Sequence, residues 1–298
     1  MTDTPPPKKP LIDPPRLRYR ANKQLEAPLG TRFLSAGGQR TWDAYLRVAV
    51  HDKVPDLKTA VVAHVFYPDL LDEVLQCWRT IPLAADLHIT TIGDHAAEIA
   101  TRTAKEKHVH IHVHPNRGRD IAPFMALLNE GTLAGYDAVL KIHTKRSPQQ
   151  RNGNLRRQLL FAHLAGHRLQ IIRILRQFEK PQTGALAGPE VGMVGWGLNF
   201  RRDSLYWYSN QARVQALCDR MQIASRPLPC FFEGSMFWFR PAAIASLRRL
   251  QLVATDFEPE SGQLEGALHH ALERTFTLAA LSAGYTITAA TGRELAAP

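Results

Sequence analysis

The chain has 298 residues, 45% of them hydrophobic and 21% charged, and 37 Lys and Arg against 27 Asp and Glu give it a net charge of +10. That composition excludes a wholly disordered or fibrous protein, and the charge points to anionic company. Three scattered cysteines, Cys77, Cys218 and Cys230, form no CxxC pair, which argues against a disulfide framework and for a reducing compartment.

In chain order, residues 1–30 carry Pro5-Pro6-Pro7, Lys8-Lys9, Pro14-Pro15 and Arg16, Arg18 and Arg20. Such a segment cannot bury a core and reads as a flexible basic arm. Residues 31–57 read as a helical extension around Trp42, Leu46 and Val48, and residues 58–298 as one α/β domain. There is no secretory leader pattern and no apolar run long enough to span a bilayer, so the expected location is cytoplasmic. The arm suits peripheral contact with an anionic membrane surface.

The domain opens on the continuous apolar run 60–67, typical of a parallel strand buried on both faces. Pro68 then starts a helix with Leu70, Leu71, Val74, Leu75 and Trp78 on one side. Further strands are predicted over 86–92, 109–113 and 138–142, each followed by a helix. Four β-then-α units predict a mostly parallel, Rossmann-like central sheet flanked by helices. Helices near 155–164, 167–178, 211–221, 241–250 and 264–276 and strands at 192–195 and 231–239 complete the reading.

Ligands of such sheets sit at the carboxyl ends of the strands. The fourth strand ends in His143-Thr144-Lys145, and the stretch 138–178 holds nine Lys or Arg and no Asp or Glu. Lys141, Lys145, Arg146, Arg151, Arg156 and Arg157 crowd its start. Lys145 and Arg146 follow the strand directly, where a diphosphate would gain charge-assisted hydrogen bonds. His143 is placed to bond a phosphate or a sugar, or else its own backbone.

Asn116-Arg117-Gly118-Arg119-Asp120 is a strand-to-helix turn. Asp120 reads either as a helix N-cap or as a ligand group, with Arg117 or Arg119 meeting phosphate. His108, His110, His112 and His114 alternate along one strand face, a spacing open to metal binding or to plain packing. Glu233-Gly234-Ser235 leads into the aromatic run 236–239, where Glu233 is a candidate base and Trp238 either core or a sugar-stacking ring. Near the last helix, Glu265, His270, Glu273 and Arg274 come close in sequence, with His270 and Arg274 on one helical face.

HVFYPDLL at 64–71, NRGRDIAPF at 116–124, LKIHTKRS at 140–147, EGSMFWFRP at 233–241 and HALER at 270–274, in that order, resemble the rhamnan synthesis protein F family. The resemblance covers residues 60–276. It implies a glycosyltransferase of GT-A type that uses a nucleotide sugar, such as dTDP-rhamnose. The acceptor it implies is a growing lipid-linked or lipopolysaccharide glycan.

Relatives of that fold end the equivalent strand in a metal-gripping Asp-x-Asp. Here His143-Thr144-Lys145 takes its place, so no obligatory metal or other cofactor is expected. The implied catalytic carboxylate is Glu265, with Glu233 second, although Glu265-Gly266-Ala267 stands where Asp-Gly-Thr is usual. His64, Tyr67, Asn116, Arg117, Gly118, Asp120, Lys141, His143, Lys145, His270 and Arg274 fall to the donor, and Ser235 and Trp238 to the acceptor. The rival reading is a non-catalytic nucleotide- or glycan-binding scaffold. Nucleic-acid binding is disfavoured because no zinc-finger, RNA-binding or helix-turn-helix pattern accompanies the basic residues.

Overall fold

The computed structural model describes residues 28–146, 153–179, 189–263 and 265–298. Most of the expected basic arm, Arg151 and the expected helix start at Leu264 lie outside them. Residues 28–34 are helical. Helix α1 (Ala36–Ala49) comes next, capped by Ser35, whose hydroxyl accepts from the Gly38 N–H.

One α/β domain is built on eight strands: β1 (Thr59–His64), β2 (Ala85–Thr91), β3 (Val109–Val113), β4 (Ala138–His143), β5 (Val191–Gly195), β8 (Phe237–Phe239), β9 (Thr286–Ala289) and β10 (Glu294–Ala296). Their order is β10-β9-β5-β8-β4-β1-β2-β3. β1 to β4 pair in parallel, whereas β8 runs against both β4 and β5. A separate ribbon joins β6 (Phe200–Arg201) to β7 (Phe231–Phe232).

The apolar runs become two-faced strands because side chains alternate. Val61, Ala63, Leu87, Ile89, Leu140 and Ile142 pack on one face with α2 (Leu71–Arg79), α5 (Gly153–Ala165) and α6 (Arg168–Arg176). Ala60, Val62, Val139, Phe237 and Phe239 pack on the other with α4 (Ile121–Glu130), α7 (Gln211–Met221), α8 (Leu268–Glu273) and α9 (Phe276–Ser282). Each fully buried Val, Leu or Phe contributes about 1.5–3 kcal/mol. Helix α3 (Gly93–Thr103) lies against the edge strand β3. The extension docks through Leu46 and Val50 onto Ile172 of α6.

The run expected as one strand over 231–239 is two short strands. Between them Gly234 (φ 92°) and Ser235 (φ 46°) turn left-handed. The expected helix over 264–276 is α8, with a second helix, α9, beginning at Phe276. β9 and β10, which the sequence reading missed, carry the sheet beyond β5.

Gly118 shows how tightly the ligand end is built. Its φ is +63°, and a β-carbon there would lie 2.4 Å from Phe257 and 2.6 Å from Ala122. Gly118→Ala is therefore expected to cost about 1–3 kcal/mol from overpacking, with backbone strain adding to it. Urea unfolding followed by circular dichroism checks this; an unchanged midpoint would contradict the packing.

Candidate functional site

β1 and β4 end side by side, with His64 in register with His143. Because β8 is antiparallel to β4, the turn before β8 reaches the same end of the sheet. Together with the start of α4 and helix α8, these ends enclose a cleft of about 480 Å³.

Alternation along β4 sends Lys141 and His143 to the side of α4. There Lys141 Nζ donates to Asp120 Oδ2 at 2.5 Å and to the Ser235 carbonyl at 3.0 Å. Ser235 Oγ donates to the same carboxylate oxygen at 3.1 Å, and His143 Nδ1 lies 3.3 Å from it. Asp120 stands at the N-cap position, yet its side chain makes no capping bond. Burial alone would raise its pKa, but His143 and the bonded Lys141 ammonium outweigh this and hold the carboxyl well below the usual range.

Thr144 ties the two strand ends together. Its hydroxyl oxygen accepts from the N–H groups of Phe66 (2.9 Å) and Tyr67 (3.0 Å). Arg157 holds the next residue in place: its guanidinium grips Glu73 through two 3.0 Å bonds and donates to the Lys145 carbonyl at 2.8 Å.

Lys145 extends into the cleft. Among the described residues no hydrogen bond or ion pair within 4 Å occupies its ammonium. Burial, then the nearby Arg156, lowers its pKa, while Glu273, Asp120 and Glu233 raise it. The other cations of the cleft are committed: Arg119 to Glu260 at 3.0 and 3.1 Å, Arg146 to Asp69, and Arg274 to the Tyr206 carbonyl at 2.8 Å and Glu265 at 3.4 Å.

Several imidazoles line the same space. Burial lowers the pKa of His64 to about 4 and those of His143 and His270 to about 3, so all three are neutral at pH 7. Both ring nitrogens of the buried His269 lack a protein partner, and Nδ1 of His143 makes no aligned hydrogen bond despite its nearness to Asp120. Buried polar atoms in native proteins are nearly always paired, so these nitrogens are open to water or to a polar ligand.

Besides Asp120 and Glu260, three further carboxylates among the described residues line the cleft, and they differ. Glu233 is clamped by Arg156 (3.0 and 2.6 Å) and Arg201 (2.6 Å). Burial opposes its ionisation, but the two guanidiniums prevail and hold its pKa far below the normal range. That corrects the expectation of Glu233 as a base: a carboxylate so stabilised is a poor proton acceptor. Glu265 sits at the mouth, exposed, accepting from Asn210 at 2.8 Å. Glu273 lines the wall, its Oε1 accepting from the Gly234 N–H at 2.6 Å, and burial raises its pKa.

Of the residues expected from sequence, His64, Tyr67, Asn116, Asp120, His143, Lys145, Glu233, Ser235, Glu265, His270 and Arg274 line the cleft. The structure removes four others. Lys141 is 1% exposed and spent on Asp120 and Ser235. Arg117 turns away to the Phe257 carbonyl at 3.1 Å, and Gly118 is sealed beneath Phe257. Trp238 is fully buried, donating to the Leu164 carbonyl at 2.9 Å, so it cannot stack on an acceptor.

Sequence reasoning missed His269 as a cleft residue and Glu273 as a distinct carboxylate. Both stand beside or inside the HALER string, and only the helix's rotation shows which side chains face inward. Two rungs of the histidine ladder, His112 and His108, bond to protein groups. His88 bonds His112 (3.2 Å) and Tyr136 (3.0 Å), while His108 meets Asp86 (3.2 Å). Among the described residues no group of three or more His, Cys, Asp or Glu is arranged to hold a metal ion.

A family model described as rhamnan synthesis protein F matches residues 43–285. Two curated relatives, each named "Uncharacterized protein WxcX" and from two strains of Xanthomonas campestris pv. campestris, are 31% identical over 249 residues. The match covers 79% of this chain and 34% of each relative, so the chain spans about a third of their length. No helix among the described residues is long and apolar enough to cross a membrane.

The buried neutral imidazoles give a pH test. In the unfolded chain histidine protonates near a pKa of about 6.5, whereas His64 holds off to about 4 and His143 to about 3 in the fold. Below about pH 6.5 the unfolded state therefore binds more protons, so stability is full above that pH and is lost on acidification toward 3–4. The urea midpoint should fall between pH 7 and pH 5, and His143→Asn should flatten that fall.

Proposed function

The chain belongs to the rhamnan synthesis protein F family, a family of polysaccharide synthesis, and on that footing we propose that its cleft carries out glycosyl transfer from a nucleotide sugar. The supporting observation is the ammonium of Lys145, which among the described residues is uncommitted and half-buried at the carboxyl ends of a mostly parallel sheet, in a cleft that His143 and His269 also line with unpartnered nitrogens.

The donor's diphosphate lies against Lys145, with His143, His269 and His270 as neutral hydrogen-bond partners. As the bond to the anomeric carbon breaks, negative charge grows on the leaving diphosphate. A cation already fixed in a poorly hydrated cleft stabilises that charge with little reorganisation. Arg157 and Glu73 hold the Lys145 backbone in place, so the ammonium is aimed before substrate arrives.

The acceptor hydroxyl is a weak nucleophile and needs a proton acceptor as it attacks, with inversion at the anomeric carbon. Glu265, an exposed carboxylate lining the cleft, takes that proton in this reading. A growing cell-surface glycan on a lipid carrier fits that exposed side, and a rhamnosyl donor fits the family. The enzyme works at the inner face of the plasma membrane and needs no obligatory divalent ion, because Lys145 stands in for part of the metal's charge.

Lys145→Ala should lower kcat about 100-fold or more with little change in the acceptor's KM, and wild-type activity should persist in EDTA. A steady-state transfer assay across a panel of nucleotide sugars measures both. An unchanged kcat removes Lys145 from the leaving-group role, and loss in EDTA restored by manganese removes the metal-independent reading. Nucleotide-sugar binding without transfer or hydrolysis would instead favour a scaffold.

A further inference from the structure

We propose that Glu273 meets a phosphorylated ligand as a carboxylic acid, taking a proton from solvent as the ligand binds and donating a hydrogen bond to a phosphoryl oxygen. The inference rests on the reading of the cleft as a diphosphate site.

Glu273 ends helix α8 on the cleft wall, with its side chain 15% exposed. Oε1 is fixed by the Gly234 N–H at 2.6 Å. Oε2 lies 3.7 Å from Arg274 Nη1, beyond hydrogen-bond range, and is the oxygen left to carry a proton.

The groups around Glu273 hold a negative charge there only in part. Burial raises the carboxyl's pKa and outweighs Arg274, whose Nη1 stands 3.7 Å from Oε2, together with Lys145 and the Gly234 N–H, all of which draw it down. On its own helix, His270 is neutral and Arg274 is shared with Glu265 and two carbonyls. From the end of β4 comes Lys145, the one neighbour free to meet ligand among the described residues. From the turn before β8 comes Glu233, a second negative charge, locked in place by Arg156 of α5 and Arg201 of β6.

Gly234 separates the two carboxylates, and a β-carbon built on it would lie 3.9 Å from Lys145 Nζ. Glu233, Glu273 and the ammonium therefore crowd one corner. When two carboxyl groups share a corner and one is pinned ionised, the other takes the proton. A diphosphate at Lys145 adds negative charge to the same corner and drives that protonation further. As an acid, Glu273 supplies a donor where its carboxylate would repel.

Calorimetric titration of the whole chain with inorganic pyrophosphate tests this. The measurement runs between pH 7 and 8.5, in buffers of different ionisation enthalpy, with wild type and Glu273→Gln. The glutamine amide keeps an acceptor for Gly234 and offers a donor without titrating. Wild type should take up close to one proton more than the variant, and its affinity should fall about tenfold more per pH unit. The variant should bind at least as tightly as wild type at pH 8.5.

Equal proton uptake, parallel pH profiles, or weaker binding by the variant at pH 8.5 would each overturn the proposal. The uptake measured on wild type does not depend on the variant folding. Absence of pyrophosphate binding by wild type would sink the diphosphate reading itself, and this inference with it.

Discussion

The half-buried carboxylate of Asp120 is the constraint on which the ligand end of the sheet depends. It draws Lys141 and His143 of β4 and the Ser235 hydroxyl before β8 onto one point at the start of α4. Three segments far apart in sequence are thereby held at fixed distances. Breaking such a pair by removing one partner typically costs about 3–5 kcal/mol, because the other charge stays buried and alone. The lysine that looks from sequence like a ligand group is in fact the strut that fixes the neighbouring His143 and Lys145.

The charges of the cleft divide their labour. Asp120 with Lys141, Glu233 with Arg156 and Arg201, Glu73 with Arg157, and Arg119 with Glu260 are paired sets that set shape. Among the described residues Lys145 stands outside them, and so do both ring nitrogens of His269. A cleft lined by many ionisable groups thus keeps few of them available. Neutral imidazoles are useful there because they bond either a phosphate or a hydroxyl without adding to the charge on the free protein.

Much of the parallel half of the sheet is legible in the sequence, since β1 and β4 are largely apolar runs. The antiparallel half is not. β8 is three residues long and is split from β7 by Gly234 and Ser235 in left-handed backbone, which an aromatic-rich run conceals. The sequence placed His64, His143, Lys145 and Arg274 near one another because strand ends and motif strings mark them. It could not tell a cap from a strut at Asp120, or a core ring from a stacking ring at Trp238, because both pairs of roles use the same residue in the same local setting. Glu273 stayed hidden for a related reason. Its character comes from Lys145 and Glu233, which precede it by 128 and 40 positions and meet it only in the folded chain.

The reversed direction of β8 bears on the order in which the molecule assembles. β1 to β4 and their helices are joined by short connections and can pair as the chain is made. β8 must return across roughly a hundred residues to insert between β4 and β5, and such distant pairings close slowly. A nascent chain reaching only Arg146 would already carry the Asp120–Lys141 pair, yet would expose the β4 edge where β8 belongs. That open edge is the point at which a stalled or truncated chain would stick to its neighbours.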